Sequence, residues 1–143
     1  MFGYNDGMQK FVQKYKKNSY GYEIGTVSAV LSDILLSQTR TVTLSTDTLK
    51  KNVKHHPDLS EDDYLQLDEV VGKSHFVAKD GDRTVAIMLN KESKELYHYA
   101  LKSTASGKQL FLTSFRKTRQ KSIERLRKKA RENKIKILKD NLP

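Results

Sequence analysis

The chain contains no cysteine, which removes disulfide frameworks, thiolate metal sites and cysteine nucleophiles. That fits a reducing compartment. No apolar run is long enough to span a membrane, and the opening MFGYNDGMQKF lacks the apolar stretch of a secretory leader. A soluble cytoplasmic protein is expected. The seven glycines are scattered, none forms a glycine-rich turn ahead of a helix, and Gly-x-Ser-x-Gly is missing. Nucleotide hydrolysis through a phosphate loop and serine-type acyl transfer therefore have no support. His55 and His56 are neighbours, but no two histidines stand at helical i, i+4 spacing. Nothing in the placing of Asp58, Asp62, Asp63 and His98 demands a metal, so neither metal nor cofactor is expected. No internal repeat and no low-complexity linker interrupts the chain.

What is present is charge. Charged residues make up 31% of the 143 positions and hydrophobic ones 36%, with a net charge of +10. Residues 116–139 hold 12 Lys and Arg against Glu124 and Glu132 alone, and the remainder balances 15 basic against 15 acidic residues. The basic character belongs to the C-terminal segment, which should attract polyanions without reading sequence. One domain of this length can bury about two-thirds of its unfolded surface.

Met8, Phe11, Val12 and Tyr15 are spaced for a first helix over residues 6–18. Asn18-Ser19-Tyr20-Gly21 reads as a break. The spacing of Ile24, Val27, Val30, Leu31, Ile34 and Leu35 predicts a second, well-buried helix. Residues 41–44 suit a short strand. Ser45 or Thr46 should cap a helix running through Lys54, with Asp47 at its positive end. Pro57 stops that helix and pushes His56 out of the α region. Ser60 opens a further helix, with Asp63 near the capping-box position. Extended segments follow over 74–79, 83–90, 95–103 and 109–116, separated by turns at Asp80-Gly81, 90–94 and Ser106-Gly107. A basic amphipathic helix is expected over 118–139. The fold class predicted is α+β: N-terminal helices (1–40), a core (41–117) built on a four-stranded antiparallel β-meander, and a basic C-terminal helix (118–143).

With metal, thiol and serine chemistry set aside, acid–base catalysis and charge stabilisation remain. Imidazole exchanges protons near neutrality, and Lys or Arg can hold a phosphate whose charge grows in the transition state. Ser114 and Thr113 can donate hydrogen bonds to its oxygens. Such groups suffice to cleave RNA through its own 2′-hydroxyl. Plainer readings stand beside this one. Lys50, Lys51 and Lys54 suit a solvated helix end, His56 a corner before proline, and His98 a place in a strand. On alternation, His98 and Lys102 share one face of their strand, while Ser114 and Arg116 share a face with Leu110 and Leu112. A one-residue slip would invert such an assignment.

The run LS-TDTLKKN-KHHPDLS-DDY, followed by a meander ending in FLTSFRKT, resembles the phage-associated barnase/EndoU/colicin/RelE-like nucleases. The resemblance covers roughly residues 41–118. It implies a metal-independent endoribonuclease of phage or mobile-element origin, toxin-like, acting in the host cytoplasm. Carried over by position, it implies His56 before Pro57 as acid or base, with His55 beside it. Lys50 or Lys51 and Arg116 would bind the phosphate, and Ser114 with Thr113 would orient it. Lys54, Lys102, Lys117, Arg119, Lys121, Arg125, Arg127 and Lys128 are the expected nucleic-acid contacts. RNA is the expected partner, with another polyanion, an acidic inhibitor or a host protein as alternatives. A non-catalytic module binding nucleic acid or acidic protein through the basic C-terminal helix is the other reading.

Overall fold

A computed structural model describes residues 7–143 of the chain. The helices are α1 (Gln9–Lys14), α2 (Ala29–Ile34), α3 (Thr46–His55), α4 (Glu61–Tyr64), α5 (Leu67–Gly72) and α6 (Gln120–Arg131). The strands are β1 (Lys17–Asn18), β2 (Gly21–Thr26), β3 (Thr41–Leu44), β4 (Phe76–Asp80), β5 (Arg83–Leu89), β6 (Leu96–Ser103), β7 (Leu110–Thr118) and β8 (Lys136–Asp140). All eight strands join one mixed sheet in the order β1-β2-β3-β7-β6-β5-β4-β8. The class is α+β, but one mixed sheet of eight strands stands where a four-stranded meander and a separate short strand over 41–44 were expected. Strands β4 to β7 pair antiparallel in succession, and β3 meets β7 in parallel at Thr43 and Phe111.

The sheet separates two cores. On its first face Tyr22, Ile24, Val42, Leu44, Tyr97, Tyr99, Leu110, Leu112 and Phe115 pack under Phe11, Leu31, Leu49, Tyr64, Leu67 and Val71 from α1 to α5. On the second face Phe76, Ala78, Val85, Ile87 and Ala100 pack under Ile123, with Leu126 and Ala130 of α6 against them. That second core lies over β4, β5 and part of β6, so α6 leaves the stretch of this face on β7 and β3 outside it. No helix among the described residues is long and apolar enough to cross a membrane.

Three expected elements differ. The helix predicted over 24–35 is strand β2 followed by the short α2, capped by Ser28, and Val30 is 71% exposed. Gly25 explains the difference: its φ is +152°, and an added Cβ would lie 2.9 Å from the Cα of Asp68. The strand passes too close to α5 for a side chain there, and a helix cannot hold that backbone angle. The first helix is only Gln9–Lys14 before the chain extends into β1, and its predicted start at Asp6 lies outside the described residues. The C-terminal helix stops at Arg131, where Asn133 turns left-handed at φ +60°. Beyond it Ile137, which fitted the helical spacing, belongs to β8 and to a sheet edge paired with β4.

Candidate nucleic-acid interface

The candidate surface begins with a bulge. Tyr99 pairs with Phe115 and Ala100 with Ser114, but Leu101 pairs with Leu112, so Thr113 is an extra residue in β7. A bulge reverses which way the following side chains point. Leu110 and Leu112 lie in the first core and so does Phe115, three positions on. Ser114 and Arg116 therefore turn to the second face. Simple alternation had placed them with Leu110 and Leu112, which would have buried them under the helices.

Register then decides their neighbours. His98 stands directly opposite Arg116, and Ser114 opposite Ala100. Such partners carry their side chains about 5 Å apart on one face. Arg83 reaches across β6 from the start of β5, its Nη2 donating to Ser114 Oγ at 3.5 Å. Lys102 lies beside it and pairs with Asp82 at 3.4 Å. No carboxylate lies within 4.0 Å of the Arg83 or Arg116 guanidinium among the described residues. His98 is only 5% exposed, and its Nδ1 is buried without a hydrogen-bond partner. Thr118 Oγ1, two residues beyond Arg116, is the other such atom among the described residues. Burial first, and then the charges of Arg116 and Arg83, lower the His98 pKa to about 4. The imidazole is thus neutral at pH 7, opposite Arg116 and within the field of Arg83, two guanidiniums that have no counter-charge.

The expected residues of α3 are placed differently. Ser45 caps the helix, its Oγ accepting from Thr48 N–H at 3.2 Å. Asn52 docks the helix on the β7 edge that β3 has left free. Its Nδ2 donates to the Phe115 carbonyl at 2.8 Å and to Tyr64 Oη at 3.0 Å, and its Oδ1 accepts from Phe115 N–H at 3.0 Å. An amide side chain here completes the ladder of a strand. Lys50, Lys51, Lys54 and His55 are exposed, and His56 is half-buried at the end of the helix, with φ −127° and ψ 69°. No hydrogen bond or ion pair links these five side chains to Ser114, Arg116 or His98. Asn52 nevertheless holds their helix beside β7, the strand that carries Ser114 and Arg116.

The remaining basic residues divide into two sets. Lys117 turns to the first face, near Asp63 at 3.6 Å and Glu95 at 3.8 Å, where Asp63 also accepts from Tyr97 Oη at 2.6 Å. Arg127 clamps the C-terminus: it pairs with Asp140 at 2.8 Å and Glu124 at 2.7 Å, and donates to the Leu142 and Pro143 carbonyls. Both are engaged within the fold. Arg119, Lys121, Arg125 and Lys128 are exposed along α6, on the side of the sheet that bears Arg116 and His98. Among the described residues no three His, Asp or Glu side chains are grouped to hold a metal ion.

Two participants had weak signals in the sequence. Arg83 follows the Asp80-Gly81-Asp82 turn and is remote in sequence from every expected site residue. Asn52 looks like one more polar residue among lysines.

No protein-family model, curated protein or solved structure matches this chain. The nuclease resemblance accordingly rests on its motifs alone.

Proposed function

We propose that the second face binds single-stranded RNA and cleaves it by metal-independent transfer to the 2′-oxygen. The observation that carries this reading is the pair of unneutralised guanidiniums, Arg83 and Arg116, beside the buried, unpartnered imidazole of His98. Two such charges suit a phosphodiester, whose oxygens accept charge-assisted hydrogen bonds. Ser114 Oγ stands between them as a further donor to the same group.

The chemistry follows from the charges. In the free protein His98 is too weak a base to act well near neutrality. A bound phosphodiester offsets part of the repulsion from Arg83 and Arg116 and raises the imidazole pKa toward the working range. His98 then takes the proton of the 2′-hydroxyl while the 2′-oxygen bonds to phosphorus. The 5′-oxygen departs and takes a proton from solvent, leaving a 2′,3′-cyclic phosphate. Arg83 and Arg116 stabilise the charge that grows on the phosphoryl oxygens. On this account the acid–base role passes from His56 to His98, and His56 with Lys51 flanks the strand as part of the basic surround.

The test is chemical. Single-stranded RNA incubated with the protein in excess chelator should yield cyclic phosphate ends, and the same sequence with 2′-O-methyl groups should survive. Cleavage of the methylated strand would refute transfer to the 2′-oxygen.

A second reading keeps the binding and omits the cleavage. It is favoured by the exposed Arg119, Lys121, Arg125 and Lys128 on α6, which need no catalytic partner. It predicts RNA affinity that falls steeply with salt, each neutralised phosphate adding about 0.7 to the log–log slope for a single strand.

A further inference from the structure

The hairpin joining β1 and β2 holds an aromatic ring out over the same face. Tyr20 is 55% exposed, yet its backbone is tightly held. The Asn18 side chain accepts from the N–H groups of Tyr20 at 2.7 Å and Gly21 at 3.0 Å. Gly21, at φ +146°, lies so close to the end of β3 that an added Cβ would collide with the Leu44 carbonyl oxygen. The turn cannot back away from the sheet, nor accept a side chain at that position. Below it, the Tyr20 ring stands edge-on to Phe111, with centroids 6.5 Å apart at 71°. The two rings wall a shallow hollow completed by Ser45, Thr48, Lys102 and Thr113.

Phe111 pairs with Lys102 across the β6–β7 ladder, and Thr84, next to Arg83, pairs with Leu101. Phe111, Lys102 and Arg83 thus stand in a row across three adjacent strands, and the row spans about 10 Å at the usual strand spacing. An apolar, aromatic-walled hollow at one end and guanidinium groups at the other form a graded surface. A protein partner with an apolar anchor would not need the cationic end, and a free phosphate would not need the rings.

We infer that the Tyr20–Phe111 hollow is a nucleobase subsite, taking an unstacked base of the strand whose phosphate lies at Arg83 and Arg116. This rests on the functional reading above and narrows it: the ligand must be single-stranded, because a base within a duplex cannot leave its stack cheaply. The Thr48 hydroxyl, which accepts from Ser45 Oγ at 2.9 Å, keeps its proton for the base edge, and the Thr113 hydroxyl, which donates to the Ala100 carbonyl at 3.3 Å, offers an acceptor. Lys102 sits where the linking phosphate would pass. The ring stacking is tolerant of base identity.

The test compares three probes on the full chain: a 2′-O-methyl single-stranded oligonucleotide, its abasic counterpart, and a duplex of the same sequence. Tyr20→Ala should weaken single-strand binding about five- to a hundredfold, and Tyr20→Phe should restore it. Binding of the abasic strand should not change. Arg83→Ala and Arg116→Ala should weaken both single strands alike. If Tyr20→Ala leaves single-strand affinity unchanged while the arginine variants lower it, the base subsite is wrong and the phosphate site stands. Equal loss on the abasic strand would likewise overturn it. Tighter binding of the duplex than of the single strand would contradict the assignment of ligand. If the single strand binds with no dependence on Arg83 or Arg116, the functional reading fails and this inference fails with it. Tyr20 is exposed, so its replacement leaves the fold intact, which matching circular dichroism spectra would establish.

Discussion

His98 gives the sharpest test in pH. Its folded pKa is about 4 against 6.5 for the free side chain, lowered by burial and by Arg116 and Arg83. A depressed histidine favours the fold only while neutral. Its contribution is complete above the unfolded pKa of 6.5, declines as pH falls through the interval to 4, and is fully lost below that. The difference corresponds to about 3 kcal/mol over the whole window and about 2 kcal/mol between pH 7 and pH 5. Carboxylates held low, such as Asp68 and Asp140, also lose their contribution on acidification, but at lower pH. His75, itself lowered by burial and by Lys139, Lys91 and Lys73, acts in the same direction as His98. A His98→Gln variant isolates the term, since every other group is shared. Urea denaturation at pH 7 and pH 5 should show the wild type losing about 2 kcal/mol more than the variant. Titration of the His98 ring proton by NMR should place its midpoint near 4. A midpoint near 6.5, or parallel pH profiles for the two proteins, would refute the buried, doubly repelled imidazole.

Other perturbations read other parts of the account. Inorganic phosphate at millimolar concentration should raise the His98 midpoint, and Arg83→Ala with Arg116→Ala should abolish that rise; NMR titration reads both. Asn52→Ala leaves the Phe115 amide, the Phe115 carbonyl and Tyr64 Oη without their partner. At about 1–3 kcal/mol for an unsatisfied buried group, with water recovering part, it should cost about 2–4 kcal/mol in denaturation and speed exchange of the Phe115 amide. Arg127→Ala releases Asp140 and two terminal carbonyls. It should cost about 1 kcal/mol and accelerate amide exchange in β8 more than in β6. Overexpression of the wild type should slow bacterial growth, and His98→Ala should relieve it at equal protein level.

Much of the fold was legible where local chemistry decides it. Ser45 capping α3, the Ser60–Asp63 capping box and the Pro57 stop are interactions within a few residues, and the structure contains each. The Asp80-Gly81 hairpin is likewise a short-range signal. The mistaken helix over 24–35 shows the opposite case. Its apolar spacing suits a helix, but the approach of Gly25 to Asp68 and Val71 is a tertiary contact that periodicity cannot express. Ile137 went astray for the same reason, because pairing with β4 is a long-range event. The site was partly legible. Ser114 and Arg116 stood out by their motif, but the Thr113 bulge that turns them outward has no sequence mark. His98 was visible without a known register, and Arg83 joins it only once β5 and β6 are aligned.

The central claim is that the working imidazole is His98 on the second face. The most direct measurement is the rate of single-stranded RNA cleavage in excess chelator by His98→Ala, His56→Ala and the wild type, each with its fold verified. A positioned acid–base group contributes about a hundred- to ten-thousandfold. The account predicts a loss of that size for His98→Ala and a change of less than about tenfold for His56→Ala. Wild-type cleavage by His98→Ala, with activity lost in His56→Ala instead, would contradict it.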